Sequence, residues 1–135
     1  MQQVAVALFV QEVGELGLTP VQYSALHAVC EQPGVDQKTL AGSIGYDAST
    51  IAGVLDRLEA RGLLTRSVSP TDRRARLLNP TQQGLDMLEA VVPRMLKAQE
   101  RLLEPLHPEQ RESFMGMMRA VVDAHAELSN IPTRE

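Results

Sequence analysis

The stretch "SPTDRRARLLNPTQQG", residues 69–84, decides the fold. Ser69, Pro70 and Asp72 are turn formers. The strand-like run "LLTRSV" (63–68) precedes them, and "ARLLN" (75–79) follows. Two short strands about such a turn read as a β-hairpin. Its tip carries Arg73, Arg74 and Arg76, crowded into four positions. Thr81 then opens a long helical pattern over 82–106, with Leu85, Leu88, Val92, Met95, Gln99, Leu102 and Leu106 recurring by three and four. That narrow stripe suits a helix lying beside another long helix. Pro93 should kink it.

Working upstream, "DASTIAGVLDRLEARG" is a helix capped by Asp47, with Ile51, Val54, Leu55 and Leu58 inward and Gly62 as its stop. Before it lies a shorter helix, "QKTLAGSI", capped by Asp36 and carrying Leu40 and Ile44; the turn "GYD" joins the two. "LTPVQ" marks a further helix start. Thr19 caps it, Pro20 takes the first helical position, Gln22 completes a capping box, and "PG" at 33–34 stops it. Val21, Ala25, Leu26 and Val29 form its core stripe. The first helix places Val4, Leu8, Val13 and Leu16 on one face and ends at Gly17. Met1 opens directly into helical pattern, so natural N-terminal sequence is expected to be missing. Downstream, Pro108 opens a last helix with Phe114, Met117, Val121, Ala124 and Leu128 at the same spacing, and the tail "IPTRE" is expected to be loose.

The chain of 135 residues fits one domain, and two Phe, two Tyr and no Trp make its core aliphatic. A single cysteine excludes an internal disulfide and a multi-cysteine zinc site. The absence of a long apolar run or a signal-peptide pattern reads as a soluble cytoplasmic protein without a membrane role. Charge is unevenly placed. The formal net charge is −4, yet six arginines against Glu59 and Asp72 lie between residues 57 and 76, a local balance of +4. A basic patch on an acidic body is the footprint of a nucleic-acid surface; a solvated charged face is the plainer alternative.

Helix, helix, short helix, turn, helix and β-hairpin, followed by two long helices, is the order of a winged helix-turn-helix with terminal helices. The fold class is mainly α, with a small hairpin wing. The segments "LTPVQYSALHAV", "DQKTLAGSIGYDASTIAGVLDRLEARGLLTRS", "SPTDRRARLLNPTQQG" and "LHPEQRESF" resemble the multiple-antibiotic-resistance-regulator (MarR) family of bacterial transcription factors over nearly the whole chain. The resemblance is most specific in "DRLEARGLLTR", "DRRAR" and "LNPTQQG". It implies one MarR-type domain over 1–135, with a DNA-binding part at 18–84 and dimerisation helices at 1–17 and 85–130. It also implies a homodimer on double-stranded, pseudo-palindromic DNA, a recognition helix in the major groove and a wing near the minor groove.

Ser49 and Thr50 lie in the first turn of the recognition helix, where helices meet base edges or phosphates; alternatively they are only helix-start residues. Gly53, one turn on, is small enough for backbone to approach DNA and leaves direct base readout thin. Lys38 and Thr39, at the start of the preceding helix, are phosphate candidates. The wing residues Arg73 and Arg74 match the family's signature. Arg73 is expected in the minor groove and Arg74 paired with Asp47. Arg76 could reach phosphate, and Asp72 should stiffen the turn. Arg57 is expected to be partly structural, paired with Asp56 or Glu59 or with wing backbone. Arg61 is expected to be a solvated cation at a helix C-terminus.

Tyr23, His27 and Cys30 share a face of the second helix, with Ser24 adjacent. The resemblance implies a cavity there for a small aromatic carboxylate, with Arg94 neutralising the acid. The plainer alternative makes Tyr23 and His27 packing residues. Cys30 has no neighbouring cation in sequence and is expected to be an inert thiol. His27, His107 and His125 sit in no metal-ligand motif, no phosphate loop or nucleophile–base pair is present, and neither cofactor nor enzymatic activity is expected. The segment "PGVDQKTLAGSIGYDASTIAGVLDRLEARGLL" resembles family members that control degradation of aromatic acids such as hydroxycinnamates, benzoates or nicotinate. The resulting expectation is a homodimeric DNA-binding regulator, a repressor of a catabolic or related operon released by a small aromatic carboxylate. A winged-helix protein-interaction module and a ligand-independent DNA-binding dimer are the alternatives.

Overall fold

The computed structural model describes residues 2–125. Leu128 and the tail "IPTRE" lie outside the described residues. The elements run α1 (Gln2–Val13), a 3₁₀ turn (Gly14–Leu16), α2 (Pro20–Glu31), β1 (Val35–Asp36), α3 (Gln37–Ile44), α4 (Ala48–Ala60), β2 (Leu64–Val68), β3 (Arg76–Pro80), α5 (Gln82–Leu103) and α6 (Pro108–Ala124).

Local chemistry sets most of these boundaries. The Thr19 hydroxyl accepts the Gln22 amide at 3.2 Å, and the Gln22 side chain accepts the Thr19 amide at 3.2 Å, closing the expected capping box. Gly17, Gly45 and Gly62 end their helices at φ of 77°, 75° and 74°. A side chain there would crowd the backbone, so these positions favour glycine.

The hairpin forms as expected, with Leu64 opposite Pro80 and Val68 opposite Arg76. A third strand was not expected. β1 is only two residues long and pairs antiparallel with β3, Val35 opposite Leu78, giving the order β1-β3-β2. Two residues carry no periodicity, so "GVD" reads in sequence only as the approach to a cap.

The core lies where α2, α4 and the sheet meet. Leu26, Ile51, Leu55, Leu58 and Leu78 are fully buried, and each contributes on the order of 1.5–3 kcal/mol by leaving water. Gly84 is buried in the first turn of α5. A Cβ there would fall 2.0 Å from the Leu63 carbonyl oxygen, so the absent side chain lets α5 seat against the base of the wing. The same corner is tied by the Thr81 hydroxyl, which donates to the Gly62 carbonyl at 2.6 Å.

α5 continues as one helix through Pro93. Its expected stripe divides: Leu88 and Met95 pack on the core, whereas Leu85 and Val92 face outward, and Val91 is the buried residue of that turn. A helix of period 3.6 drifts off a strict three-and-four pattern, so neighbouring positions share the seam. Leu96 is 58% exposed, and on α6 Met117 and Val121 are 62% exposed. On α1, Val4 and Val10 are 53% exposed. No helix among the described residues is by itself long and apolar enough to cross a membrane.

Candidate nucleic-acid interface

α3 and α4 begin with the same device. Asp36 accepts the Thr39 amide at 2.8 Å and the Thr39 hydroxyl at 2.7 Å. Asp47 accepts the Thr50 amide at 2.7 Å, the Thr50 hydroxyl at 3.0 Å and the Ser49 hydroxyl at 2.8 Å. These bonds hold both carboxyls below their ordinary pKa. For Asp36 the Thr39 hydroxyl is the main cause, and for Asp47 the Thr50 amide. A consequence follows for the expected DNA contacts. The hydroxyl protons of Thr39, Ser49 and Thr50 are committed to carboxylates, so outward each oxygen offers lone pairs. An acceptor suits the exposed amino groups of adenine and cytosine in a major groove better than it suits a phosphate.

The exposed face of α4 runs Ser49, Thr50, Gly53 and Arg57. A Cβ added at Gly53 would meet nothing within 4 Å, so this stretch of the face is bare backbone. The expected pairing of Arg57 with Asp56 or Glu59 is not formed. Both acids are taken by Arg66, which reaches across from β2 to Asp56 and, at 3.0 Å, to Glu59. Arg66 holds the Glu59 carboxyl below its ordinary pKa, chiefly through that hydrogen bond. Arg57 stays exposed and, among the described residues, has no ion-pair partner.

The wing tip is built from short-range bonds. The Ser69 hydroxyl accepts the Thr71 and Asp72 amides at 3.3 Å each, and the Ala75 amide donates to the Asp72 carbonyl at 3.0 Å. The Asp72 carboxylate accepts the Arg74 amide at 3.0 Å, so Asp72 does stiffen the turn. The expected Arg74–Asp47 pair is not formed; Asp47 spends its carboxylate on the first turn of α4. Arg76 makes one long bond of 3.4 Å to the Arg73 carbonyl. Arg73 and Arg74 are exposed, and their guanidinium groups have no partner among the described residues.

A cleft of 970 Å³ separates the wing from the helix starts. Asp36, Lys38 and Thr39 line it from the start of α3, Ala48 from the start of α4, and Asp72, Arg74 and Arg76 from the wing. Thus four of the expected DNA-contact positions, Lys38, Thr39, Arg74 and Arg76, converge on one concave surface whose three cations outnumber its two carboxylates, Asp36 and Asp72. Arg73 does not line the cleft, and its guanidinium is unpaired among the described residues, as a groove-entering arginine would be; Arg74, expected to be paired with Asp47, is unpaired there as well.

A second cavity, of 670 Å³, opens beside α2 and takes in Tyr23, Ser24 and His27, together with Glu31, Gln32, Ser43 and Ile44. The Tyr23 and His27 rings lie 5.7 Å apart, and Phe9 backs Tyr23 at 6.0 Å. Burial, and then Glu31, push the Tyr23 hydroxyl above its ordinary pKa. His27 Nε2 lies 3.4 Å from the Glu31 carboxylate. Glu31 falls four residues after His27, a helical spacing that could have found it; Ser43 and Ile44 arrive from α3 and had no local signal. Two expectations need correction or confirmation here. Arg94 does not line this cavity: its guanidinium bonds Glu15 at 2.7 Å and the Glu12 carbonyl at 3.3 Å. Cys30 is also outside it, and burial raises its thiol pKa, as an inert thiol requires. No metal-holding cluster of His, Cys, Asp or Glu occurs among the described residues.

Arg61 corrects another expectation. It is not a free solvated cation. Its Nη1 donates to the Gly17 carbonyl at 2.7 Å and its Nη2 to the Leu16 carbonyl at 3.0 Å. Acceptors that are backbone carbonyls more than 40 positions away leave no trace in a local sequence pattern.

Comparison with known proteins places this geometry. The MarR family profile matches residues 16–75, the span from the α1–α2 corner to the wing. The chain is 34% identical over 107 residues to the transcriptional regulator HosA of Escherichia coli O111:H-, covering 79% of each. It is similar in structure to the PcaV transcriptional regulator of Streptomyces coelicolor, with a TM-score of 0.80, 36% identity and coverage of 93% of this chain and 92% of that one. It is likewise similar to the transcriptional repressor CouR bound to a 23-mer DNA duplex, with a TM-score of 0.81, 30% identity and coverage of 90% and 86%. These relatives are regulators and not enzymes.

Proposed function

This chain belongs to the MarR family of transcriptional regulators, and we propose that it acts as a homodimeric repressor released from a pseudo-palindromic operator by a small aromatic acid. The observation that carries the DNA side of this reading is the cleft in which Lys38, Arg74 and Arg76 face the start of α4. Lys38 and Arg74, whose charged groups have no partner among the described residues, and Arg76, with one long bond, place cations on both sides of a helix start, which suits a phosphate backbone. The bare Gly53 face lets α4 lie deep in the major groove, while the lone pairs of Ser49 and Thr50 meet base amino groups.

Dimerisation is supported by the apolar side chains left outside the core on α1, α5 and α6. Val10, Val92, Leu96, Met117 and Val121 are all more than half exposed. Helices from a second copy would bury them, as the two-fold symmetry of a palindrome asks.

The cavity beside α2 supports the effector side. The rings of Tyr23, backed by Phe9, and of His27 offer a stacking wall, and the Ser24, Gln32 and Ser43 side chains offer polar fixings. His27, oriented by Glu31, replaces Arg94 as the group that would donate to a ligand carboxylate. The CouR repressor has been solved with p-coumaroyl-CoA and PcaV with its natural ligand, which supports ligand control of related proteins. Release requires that the effector bind the DNA-incompetent arrangement more tightly than the competent one.

A fluorescence-anisotropy titration against the intergenic DNA beside the gene, at two salt concentrations and with a panel of aromatic acids, tests the reading. Salt-sensitive binding reversed by one acid is expected, and His27→Ala should weaken that acid's effect about tenfold while leaving DNA affinity unchanged. Binding no tighter than to random DNA would overturn the regulator reading. Binding indifferent to every acid would overturn the effector part and leave a ligand-independent DNA-binding dimer.

A further inference from the structure

The corner between α1 and α2, residues 12–17, is held by arginines from three places. Arg94 of α5 bonds Glu15 and the Glu12 carbonyl. Arg101 of α5 bonds the Glu12 side chain, which is only 15% exposed, at 2.9 Å. Arg61, the C-cap of α4, reaches the same corner from the opposite side through the Leu16 and Gly17 carbonyls. Its guanidinium also packs close to Gly17: a Cβ at that residue would sit 3.3 Å from both terminal nitrogens.

The apolar seam between α4 and α2, with Ile51, Leu55 and Leu58 fully buried, sets the helix crossing by interdigitation, a tendency with a scatter of about 15–20° and not one fixed angle. Two hydrogen bonds to two fixed carbonyls have direction. They act at the far end of α4 from its DNA-facing start. A helix of 13 residues is roughly 20 Å long, so a tilt of about 5° about its C-terminal end moves its start by about 1.7 Å. In a two-fold dimer both starts move, and the change of about 3.5 Å equals roughly one base-pair step of 3.4 Å.

We propose that Arg61 is a positioning residue that sets the half-site spacing of the operator, by locking the tilt of the recognition helix to the corner that α5 also grips. This rests on the dimeric DNA-binding reading above. Arg61 itself lies at the opposite end of α4 from the cleft that faces DNA.

The test uses the full chain and three duplexes: the operator, and the same operator with one base pair inserted or removed at its centre. Wild type should bind the altered duplexes at least about tenfold more weakly than the operator. Arg61→Gln should bind the operator several-fold more weakly but lose less than about threefold more on either altered duplex. Arg61→Lys, which keeps a cation able to reach one carbonyl, should fall between the two. A melting temperature recorded for each variant separates spacing from folding. If Arg61→Gln keeps the full wild-type spacing penalty, or weakens on all three duplexes by one factor, the proposal is overturned while the regulator reading stands. If wild type itself shows no preference for the operator over random DNA, both fall.

Discussion

The wing tip and the α1–α2 corner are both rich in hydrogen-bonding arginine, and they use it in opposite ways. At the corner, Arg61, Arg94 and Arg101 all end on carbonyls or carboxylates of the same chain. At the wing, Arg73 and Arg74 end on nothing among the described residues, and Arg76 on one long bond. An arginine whose donors are spent at home is part of the scaffold. One whose donors point to water is available to a ligand, and five donors in a rigid fork suit phosphate. The arginines of α5 and Arg61 at the end of α4 build the frame, as does Arg66 at the base of the wing, whereas Arg57 and the arginines of the wing tip keep their donors outward.

The separation can be broken by substitution. Replacing Arg73, Arg74 and Arg76 with alanine should cost about two to three orders of magnitude in operator affinity near 0.1 M salt and flatten the salt slope by roughly three units, with the melting temperature unchanged. A matching loss of thermal stability would mean the wing arginines are scaffold after all. Arg66→Ala should show the reverse. Its side chain is 20% exposed and bridges β2 to two acids of α4, so stability should fall by about 1 kcal/mol, after allowance for solvent screening, with affinity changed less than about threefold. A denaturant titration and an anisotropy titration on the same sample decide it. Gly53→Ala is a finer probe. The site is open, so helix propensity alone should raise stability by up to about 1 kcal/mol. A simultaneous loss of operator affinity would place DNA against the bare backbone; unchanged affinity would place the helix further out.

The smallest expected effect is with pH. The carboxyls of Asp36, Asp47 and Glu59 are all depressed below their ordinary pKa in the folded chain. The unfolded state therefore binds protons first. The stability these groups contribute is fully present above their ordinary values and is lost as pH falls through the folded ones. Melting temperature followed downward from pH about 5 should decline, and Asp36→Ala with Asp47→Ala should shallow that decline. A profile unaltered by the double substitution would mean that the two caps do not couple folding to protons.

Much of this was legible in sequence because its chemistry is local. The caps at Thr19, Asp36 and Asp47 act over three residues, and the wing announces itself through turn formers between two strand-like runs. What stayed hidden acts at a distance. Arg57 was matched with its sequence neighbours Asp56 and Glu59, yet Arg66 arrives from another element with better geometry and takes both. Arg94 read as a free cation on a helix, and its acceptors lie 79 and 82 positions upstream. The floor of the cavity beside α2 needed Ser43 and Ile44 from α3, whose approach is a property of packing and not of spacing. The site's residue types were readable; which of them were already occupied was not.

The strand order β1-β3-β2 has one more consequence. β3, the return strand of the wing, is bonded on its other edge to the two residues that lead directly into α3. Lys38 at the start of α3 and the arginines of the wing are thereby joined through a sheet instead of through a loose loop. Their separation is that of a rigid caliper. Such a tool measures the width between two phosphate strands, and it closes on a duplex whose stacking already gives that width at less cost than on one that must be squeezed to fit. If the chain binds DNA as proposed, a spacing fixed in this way would favour one base composition over another in a stretch of operator that none of its side chains reads.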